Sequence, residues 1–288
     1  MNPEIRQALL DGEQLGMRYA LQVPRATLSG LTGTQLGRRS GTSIDFQDYR
    51  EYQPGDDVRF IDWAVYARSD RLSVRLFREE VTPHLDLIVD GSRSMNLEET
   101  PKGAATAKLT AALATAATNA QCSRAVWVSA EGFQRIPDDI HPPSAWELLD
   151  LESKRTFDES MEILSPRLRR SGIRVLLSDL LWPGNPIQTV RRLSEGAAAL
   201  FVVQLLARED ASPPSHGTMR LIDSESGELL ELYIDSAIEK QYRDNFARHQ
   251  QLWDNACRQC GAVLTTIVSE DLGETLRSLE EIQLLTPC

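Results

Sequence analysis

Cysteine, positive charge and long apolar runs are all scarce in this chain, and each shortage excludes a class of protein. Four cysteines in 288 residues are too few for the disulfide framework of a small secreted protein. The formal net charge of -11 disfavours broad binding to nucleic acid or to an anionic membrane. No stretch approaches the roughly 20 apolar residues of a membrane span, and the N-terminus lacks the apolar core of a signal peptide. We therefore predict a cytoplasmic protein.

Histidine is also scarce, which weakens the case for a hydrolase built on a nucleophile. The histidines are His84, His141, His216 and His249. Their predicted positions at a strand start, in two loops and on a helix favour none of them as the base of a Ser–His–acid triad. A nucleophile elbow requires Gly-x-Ser-x-Gly after a strand, whereas Gly91 directly precedes Ser92. An aspartyl-phosphate phosphatase would need a second carboxylate where Ser92 stands.

Two of the cysteines, Cys257 and Cys260, have the C-x-x-C spacing of redox-active and zinc sites. However, Cys257 lies four residues after Trp253 and continues the apolar stripe of a predicted helix. No second cysteine pair and no histidine pair in the sequence matches them. We predict that they pack in the core.

The residues from His84 onward predict an α/β domain. Short apolar segments alternate with helical segments, which is typical of a parallel sheet with helices on both faces. The apolar segments are residues 85–90, 125–130, 174–181, 200–207 and 262–269. Before them, an opening helical stretch leads into loops and short strands. We therefore predict two parts, residues 1–80 and residues 81–288, the second being a doubly wound, mostly parallel α/β domain.

Oxygen-bearing side chains follow two of the predicted strands. Asp90 ends the first strand of the α/β domain, Ser92 and Ser94 follow at alternate positions, and Asp179 stands near the end of the third strand. Ligands of doubly wound sheets bind beyond the carboxyl ends of the strands, so these side chains are expected at one edge. Carboxylate and hydroxyl oxygens suit Mg²⁺ or Mn²⁺. The alternative is a polar turn, capped by the serines and Asp90; the second carboxylate favours a metal.

Two motifs resemble known families. The stretch "DGSRS" (residues 90–94) matches the D-x-S-x-S signature of von Willebrand factor A domains, which carry a metal-ion-dependent adhesion site on a Rossmann-like sheet. The upstream block resembles the hallmark of a bacterial family called domain of unknown function 58. Its matching residues are Arg39-Ser40-Gly41, Phe46, Asp48, Arg50, Tyr52, Pro54-Gly55-Asp56-Asp57, Arg59, Ile61-Asp62-Trp63 and Ala67-Arg68. The resemblance covers about residues 36–182. It implies an N-terminal family-specific region and a von Willebrand factor A-like domain.

The resemblance also implies a role for each side chain at the strand ends. Ser92 and Ser94 would bind a divalent cation, Mg²⁺ or Mn²⁺, directly, while Asp90 and Asp179 would act through water. A threonine from another loop would contribute a further oxygen, and this position falls on Thr156.

The loop before Thr156 departs from the family pattern. Lys154 and Arg155 stand where family members commonly have glycines. Thr156 and Glu159 also have the spacing of a capping box, in which the threonine begins a helix. Thr156 is therefore expected either as a metal ligand or as a helix cap.

The function that the resemblance implies is binding and not catalysis. The metal keeps one coordination position open, and an Asp or Glu of a partner protein completes the octahedron. Proteins of this family are often encoded beside a MoxR-type AAA+ ATPase. The implied role is an adaptor that couples this ATPase to the remodelling or maturation of a protein complex.

Two alternatives stay open. A Mg²⁺-dependent hydrolase would use the same carboxylates to position the metal and water. A structural module would instead make its contacts through residues 36–68. Within that block, Asp56, Asp57, Asp62, Arg50 and Arg59 are expected either to form an ion-pair network that fastens the N-terminal region to the main domain or to contact the ATPase. We favour the network, with Pro54-Gly55 as a turn and Trp63 as a core anchor.

Overall fold

A computed structural model describes most of the chain. The described residues are 3–24, 46–77, 82–97, 100–137, 141–147, 149, 151–211, 217–224, 227–273 and 276–288. The Arg39-Ser40-Gly41 start of the family block and His216 lie outside them.

From His84 onward, strands and helices alternate, except that two pairs of strands follow each other directly. The helices are α1 (Pro3–Gly16), α2 (Trp63–Ser69), α3 (Lys102–Asn119), α4 (Phe157–Ile163), α5 (Pro186–Ser194), α6 (Arg208–Ala211), α7 (Ser236–Cys260) and α8 (Arg277–Glu281). The strands are β1 (Tyr19–Leu21), β2 (Phe46–Glu51), β3 (Ser73–Phe77), β4 (His84–Val89), β5 (Ser123–Ala130), β6 (Gly132–Ile136), β7 (Ile173–Ser178), β8 (Ala199–Leu206), β9 (Gly217–Ile222), β10 (Leu229–Ile234), β11 (Val263–Val268) and β12 (Leu285–Pro287).

A six-stranded sheet forms the centre of the larger unit, in the order β11-β8-β7-β4-β5-β6. All neighbouring strands run parallel except β6, which pairs antiparallel with β5. This confirms the predicted α/β class and the mostly parallel sheet. Strand β6 was not predicted; only Glu131 separates it from β5, so the chain turns straight back on itself.

Both faces of the central sheet are buried under helices. Along β7, Val175 and Leu177 belong to one hydrophobic cluster, whereas Leu176 between them belongs to a second. The first cluster includes side chains of α1 and α3, and the second includes side chains of α4, α5 and α7. Since successive side chains of a strand point to opposite faces, the helices lie on both sides of the sheet. This is the arrangement that the alternating pattern predicts.

The chain divides into two compact units, but not at residue 80. One unit comprises Met1–Thr27 and Pro83–Cys288, and the other comprises Leu28–Thr82. This division differs from the predicted parts, 1–80 and 81–288, at the N-terminus, where α1 and β1 belong to the larger unit. Strand β1 pairs with β12 at the far end of the chain, a contact that no local pattern indicates.

Two glycines explain how α1 joins the larger unit. A Cβ atom added to Gly12 would lie 2.2 Å from the carbonyl oxygen of Lys108, and one added to Gly16 would lie 2.5 Å from that of Ala112. Both carbonyls belong to α3, an alanine-rich helix with a smooth surface. The helices therefore approach so closely that only a hydrogen fits at these positions, and dispersion contacts between them are correspondingly dense.

Candidate metal-binding site

Two buried aspartates extend from adjacent parallel strands. Val89, the last residue of β4, pairs with Leu177 of β7, so Asp90 and Asp179 leave the sheet at the same edge. Both side chains are almost fully shielded from solvent. The backbone N–H of Asp90 also donates to the carbonyl oxygen of Leu177 at 2.8 Å, which extends the sheet pairing into the loop. The predicted meeting of the two carboxylates is therefore present.

The carboxylate of Asp90 is held by hydrogen bonds from three directions. Its Oδ2 accepts from Ser178 Oγ at 2.7 Å, and its Oδ1 accepts from Ser129 Oγ at 3.3 Å and from the backbone N–H of Ser92 at 3.1 Å. Burial and the nearby charge of Asp179 raise the pKa of Asp90 to about 6, against the opposing effect of the bonds from Ser178 and Ser92. The hydrogen bonds fix the carboxylate but do not neutralise it.

The hydroxyls of Ser92 and Ser94 face each other across a short turn. Their Oγ atoms lie 3.0 Å apart and share a hydrogen bond, in a 3₁₀ turn that covers Arg93–Asn96. Ser153 supports the turn from a neighbouring loop, because its N–H donates to Gly91 O at 3.0 Å and its carbonyl accepts from the Arg93 N–H at 3.0 Å. Two hydroxyl oxygens are thereby presented side by side.

Asp179 is paired with a buried lysine that the sequence-based reasoning missed. Lys102 Nζ lies 2.9 Å from Asp179 Oδ2 and 2.8 Å from Asp210 Oδ2. The other carboxylate oxygen of Asp179 accepts the backbone N–H of Leu181 at 3.0 Å. Burial lowers the pKa of Lys102, but the charges and hydrogen bonds of the two aspartates outweigh it and the net shift is upward. The lysine is therefore a charged ammonium inside the protein.

Thr156 has the contacts of a helix cap. Its hydroxyl accepts the N–H of Glu159 at 3.3 Å, and the Glu159 carboxylate accepts the N–H of Thr156 at 3.0 Å. This is the reciprocal capping box at the start of α4. The cap uses one lone pair of the hydroxyl oxygen, so a metal contact through the second lone pair stays a prediction.

The donor set fits a divalent cation in two respects. Asp90, Asp179 and Asp210 carry three negative charges against one ammonium, Lys102, which leaves an excess of two. In an octahedral Mg²⁺ site with bonds of about 2.1 Å, adjacent ligand oxygens lie about 3 Å apart. The Ser92–Ser94 oxygen separation of 3.0 Å is compatible with that spacing, and it is also the length of the hydrogen bond between the two hydroxyls. Charge and geometry both suit a magnesium-like ion held partly by hydroxyls.

The site differs from a metal centre made of strong ligands. Among the described residues, no group of three or more His, Cys, Asp or Glu side chains could hold a metal ion. The candidate site relies instead on neutral hydroxyl oxygens, which bind Mg²⁺ more weakly than carboxylates do. We therefore expect modest, exchangeable binding.

A hydrogen-bonded Ser–His–Asp chain is present at the other edge of the sheet. His84 Nδ1 lies 2.8 Å from Ser123 Oγ, and its Nε2 lies 3.3 Å from Asp86 Oδ1. His84 and Ser123 begin β4 and β5, so these three side chains lie at the strand ends opposite to Asp90. Asp86 Oδ2 also accepts the N–H of Arg169 at 2.8 Å. We interpret the Ser–His–Asp hydrogen bonds as holding the loop before β7 against the sheet.

A second histidine, His249, bonds to the backbone beside Asp179. His249 Nε2 lies 2.6 Å from the carbonyl oxygen of Leu180, the residue after Asp179.

The prediction that the cysteines pack in the core is confirmed for Cys257, which is buried, and burial raises the pKa of its thiol to about 12. A thiol with so high a pKa is neither a nucleophile nor a ready metal ligand.

The charged residues of the family block pair with one another inside the smaller unit. The Arg50 guanidinium binds both carboxylate oxygens of Asp56, at 2.9 and 2.8 Å, and Arg59 binds Asp57 in a similar way. Asp62 caps α2 by accepting the N–H groups of Ala64 and Val65. These hydrogen bonds lower the pKa of each of the three aspartates.

One feature of that block differs from its predicted role. Trp63, expected as a core anchor, is 61% exposed. It is the first residue of α2, where the capping carboxylate of Asp62 holds the backbone and leaves the indole facing outward. The anchor within the unit is Ile61, a buried residue that bridges to Val74 of β3.

Comparison with known proteins places relatives in bacteria. An uncharacterized protein of Mycobacterium tuberculosis and its counterpart in Mycobacterium bovis are each 28% identical to the chain over 263 residues, covering 82% of this chain and 78% of theirs. Among solved structures, BatB from Bacteroides thetaiotaomicron matches with a TM-score of 0.39 and 13% identity, over 70% of this chain and 98% of its own. An aerotolerance-related membrane protein from Bacteroides fragilis matches with a TM-score of 0.36 and 11% identity, over 69% and 99%.

The predicted cytoplasmic location is withdrawn: one structural neighbour is titled a membrane protein, a title that describes that neighbour and assigns no location to this chain. That prediction relied on the lack of an apolar span. Within the described ranges, no helix is long and apolar enough to cross a membrane.

The family itself follows from the sequence match. The block from Asp48 to Trp63 and the sheet-edge motif at Asp90 both fall inside one matched region. A family model described as protein of unknown function DUF58 matches residues 48–252, well over half of the chain. The chain belongs to this DUF58 family.

Proposed function

We propose that this chain is a non-catalytic, divalent-cation-dependent protein-binding adaptor with a von Willebrand factor A-like domain. One observation carries the proposal. Two buried carboxylates and two hydroxyls 3.0 Å apart meet at the carboxyl edge of a parallel sheet, with an excess of two negative charges around them. Such an edge is where α/β sheets bind their ligands.

Each side chain has a separate part in this proposal. Ser92 and Ser94 are the direct ligands, because their hydroxyls already stand at the spacing of adjacent octahedral positions. Asp90 and Asp179 act through water and supply charge, the role that the family resemblance implies, and hydrogen bonds to the protein hold both carboxylates in place. Thr156 contributes the remaining lone pair of its capping hydroxyl. A bound Mg²⁺ or Mn²⁺ would supply an open coordination position that accepts a carboxylate oxygen.

The partner is proposed from the same chemistry and from the family resemblance. A carboxylate on a partner protein suits the open position of a hard cation. The resemblance adds a MoxR-type AAA+ ATPase, which the adaptor would couple to the remodelling or maturation of a protein complex. Among the described residues, His84 and His249 bond to Ser123 and to the Leu180 carbonyl, so neither is placed as the base that a hydrolase would need.

A chelator-dependent binding assay tests the proposal. The purified chain is immobilised and the MoxR-type ATPase of the same organism is passed over it in Mg²⁺ and then in EDTA. We expect retention in Mg²⁺, loss in EDTA and loss in the Ser92→Ala, Ser94→Ala double variant. Retention that survives EDTA but fails in Arg59→Ala would instead support the module that binds through residues 36–68.

A further inference from the structure

Lys102 is a fully buried charged group of the site. Its side chain is 0% exposed, although it is the first residue of α3 and lysine is rarely buried without a partner. Its Nζ lies within 2.9 Å of Asp179 Oδ2 and within 2.8 Å of Asp210 Oδ2. The ammonium therefore lies between two carboxylates from different segments, Asp179 after β7 and Asp210 in α6.

We propose that Lys102 is a resident cation that sets how strongly, and through which atoms, the site takes a divalent ion. This inference rests on the proposed function. Each carboxylate oxygen of Asp179 accepts one described hydrogen bond, Oδ2 from Lys102 and Oδ1 from the Leu181 N–H. The Lys102 ammonium, 2.9 Å from Oδ2, repels a divalent ion from that oxygen and so favours direct binding at the serine hydroxyls.

The charge of Lys102 has two opposing effects. Without a metal, it neutralises part of a buried acidic cluster that would otherwise be costly to bury. With a metal, its positive charge repels the ion across a short, poorly screened distance. The native site is thereby folded without an ion and binds one weakly enough for exchange.

Asp210, the second carboxylate that binds Lys102, is also held by hydrogen bonds to other parts of the protein. Asp210 Oδ2 also accepts the N–H of Ala207 at 2.8 Å, and the carbonyl of Asp210 accepts the Tyr242 hydroxyl at 2.6 Å. Asp210 is therefore held at the end of β8 whether or not Lys102 is present. Removing the ammonium leaves Asp179, which is only 1% exposed, with a buried negative charge that a divalent cation can compensate.

The test compares Lys102→Met with Lys108→Met by Mn²⁺ calorimetry and by thermal unfolding with and without Mn²⁺. Lys108 is a matched control because it lies on the same helix and its ammonium binds only a carbonyl, that of Gly273, among the contacts described. For Lys102→Met we expect Mn²⁺ affinity to rise about ten-fold or more. Its Tm falls without metal, and Mn²⁺ raises it by more than in the wild type. Lys108→Met keeps the wild-type affinity.

The outcomes separate this inference from the proposed function. Unchanged Mn²⁺ affinity in Lys102→Met, with an equal loss of Tm with and without Mn²⁺, overturns the inference and leaves the proposed function standing. Binding to Lys102→Met but not to the wild type supports the resident cation and refutes a metal site in the native chain. Binding to neither protein refutes both.

A second variant covers the case in which Lys102→Met does not fold. Asp210→Asn removes one negative charge and leaves the ammonium wholly to Asp179. We expect Mn²⁺ affinity to fall several-fold in this variant. An unchanged affinity counts against the inference.

Discussion

Ser178 Oγ donates a hydrogen bond of 2.7 Å to Oδ2 of Asp90, so the last residue of β7 holds the carboxylate that follows β4. This bond opposes the effects of burial and of the charge of Asp179, which together raise the pKa of Asp90 to about 6. The strand pairing that builds the sheet also orients the acid of the site. Ionisation of Asp90 without a metal lowers the stability of the folded protein, and a bound cation would restore that stability.

The first prediction concerns the pH dependence of stability in EDTA. Asp90 has a pKa of about 6 in the folded protein and an ordinary value of 3.8, so the folded state loses stability as pH rises from about 4 to about 6. Asp90→Asn removes this loss. Relative to the wild type, its free energy of unfolding gains about 3 kcal/mol between pH 4 and pH 8. Urea unfolding at both pH values measures it, and an equal difference at the two would contradict the account.

The second prediction concerns the hydroxyl of Ser178. Ser178→Ala removes a buried donor to Asp90 and the acceptor of the buried Leu180 N–H, and it is expected to lower the free energy of unfolding at pH 8 in EDTA by about 1–3 kcal/mol. Ser194→Ala is the control, since its hydroxyl bonds only to a carbonyl on its own helix, α5, and a change within about 0.5 kcal/mol is expected. Urea unfolding of both variants decides. Equal losses of unfolding free energy in the two variants would show that the bond to Asp90 stabilises the protein no more than the Ser194 bond does.

The third prediction separates the two roles of Thr156. Thr156→Ala removes the cap of α4 and is expected to cost about 1 kcal/mol of stability. It is also expected to weaken Mn²⁺ binding. Glu159→Ala breaks the other half of the capping box but keeps the hydroxyl, so it should reduce stability and leave Mn²⁺ affinity unchanged. If both variants keep wild-type affinity in calorimetry, Thr156 is a cap only.

The fourth prediction tests the attachment of α1. Gly16→Ala would place a Cβ 2.5 Å from the carbonyl oxygen of Ala112, so α1 must move away from α3. We expect a loss of about 1–3 kcal/mol in the free energy of unfolding. Gln14→Ala, at an exposed position of the same helix, should change it by no more than about 0.5 kcal/mol. A neutral Gly16→Ala would contradict the close approach.

The sequence predicts those parts of the site that follow from local pattern. Apolar runs ending in Asp90 and near Asp179 identify two strands, and the parallel sheet then brings their carboxyl ends to one edge. Ser92 and Ser94 are recognisable because their spacing puts both hydroxyls in one turn. These inferences need only the period of a strand and the topology of a doubly wound sheet.

The remaining parts depend on contacts between distant segments. Lys102 begins an alanine-rich helix, where a lysine is ordinarily exposed, and only its meeting with Asp179 and Asp210 explains its burial. Ser178 and Ser129 look like ordinary strand residues until the register places them against Asp90. Each partner lies tens of residues away, so no local pattern identifies it.

The most direct test is the binding of Mn²⁺ to the purified chain by isothermal titration calorimetry. The wild type is expected to bind one Mn²⁺ per chain, and the Ser92→Ala, Ser94→Ala double variant is expected to bind none while its circular dichroism and Tm stay close to the wild type. A Ser165→Ala, Ser194→Ala double variant, altered at serines outside the site, should bind like the wild type. Equal Mn²⁺ affinity in the Ser92→Ala, Ser94→Ala variant and the wild type would contradict the account.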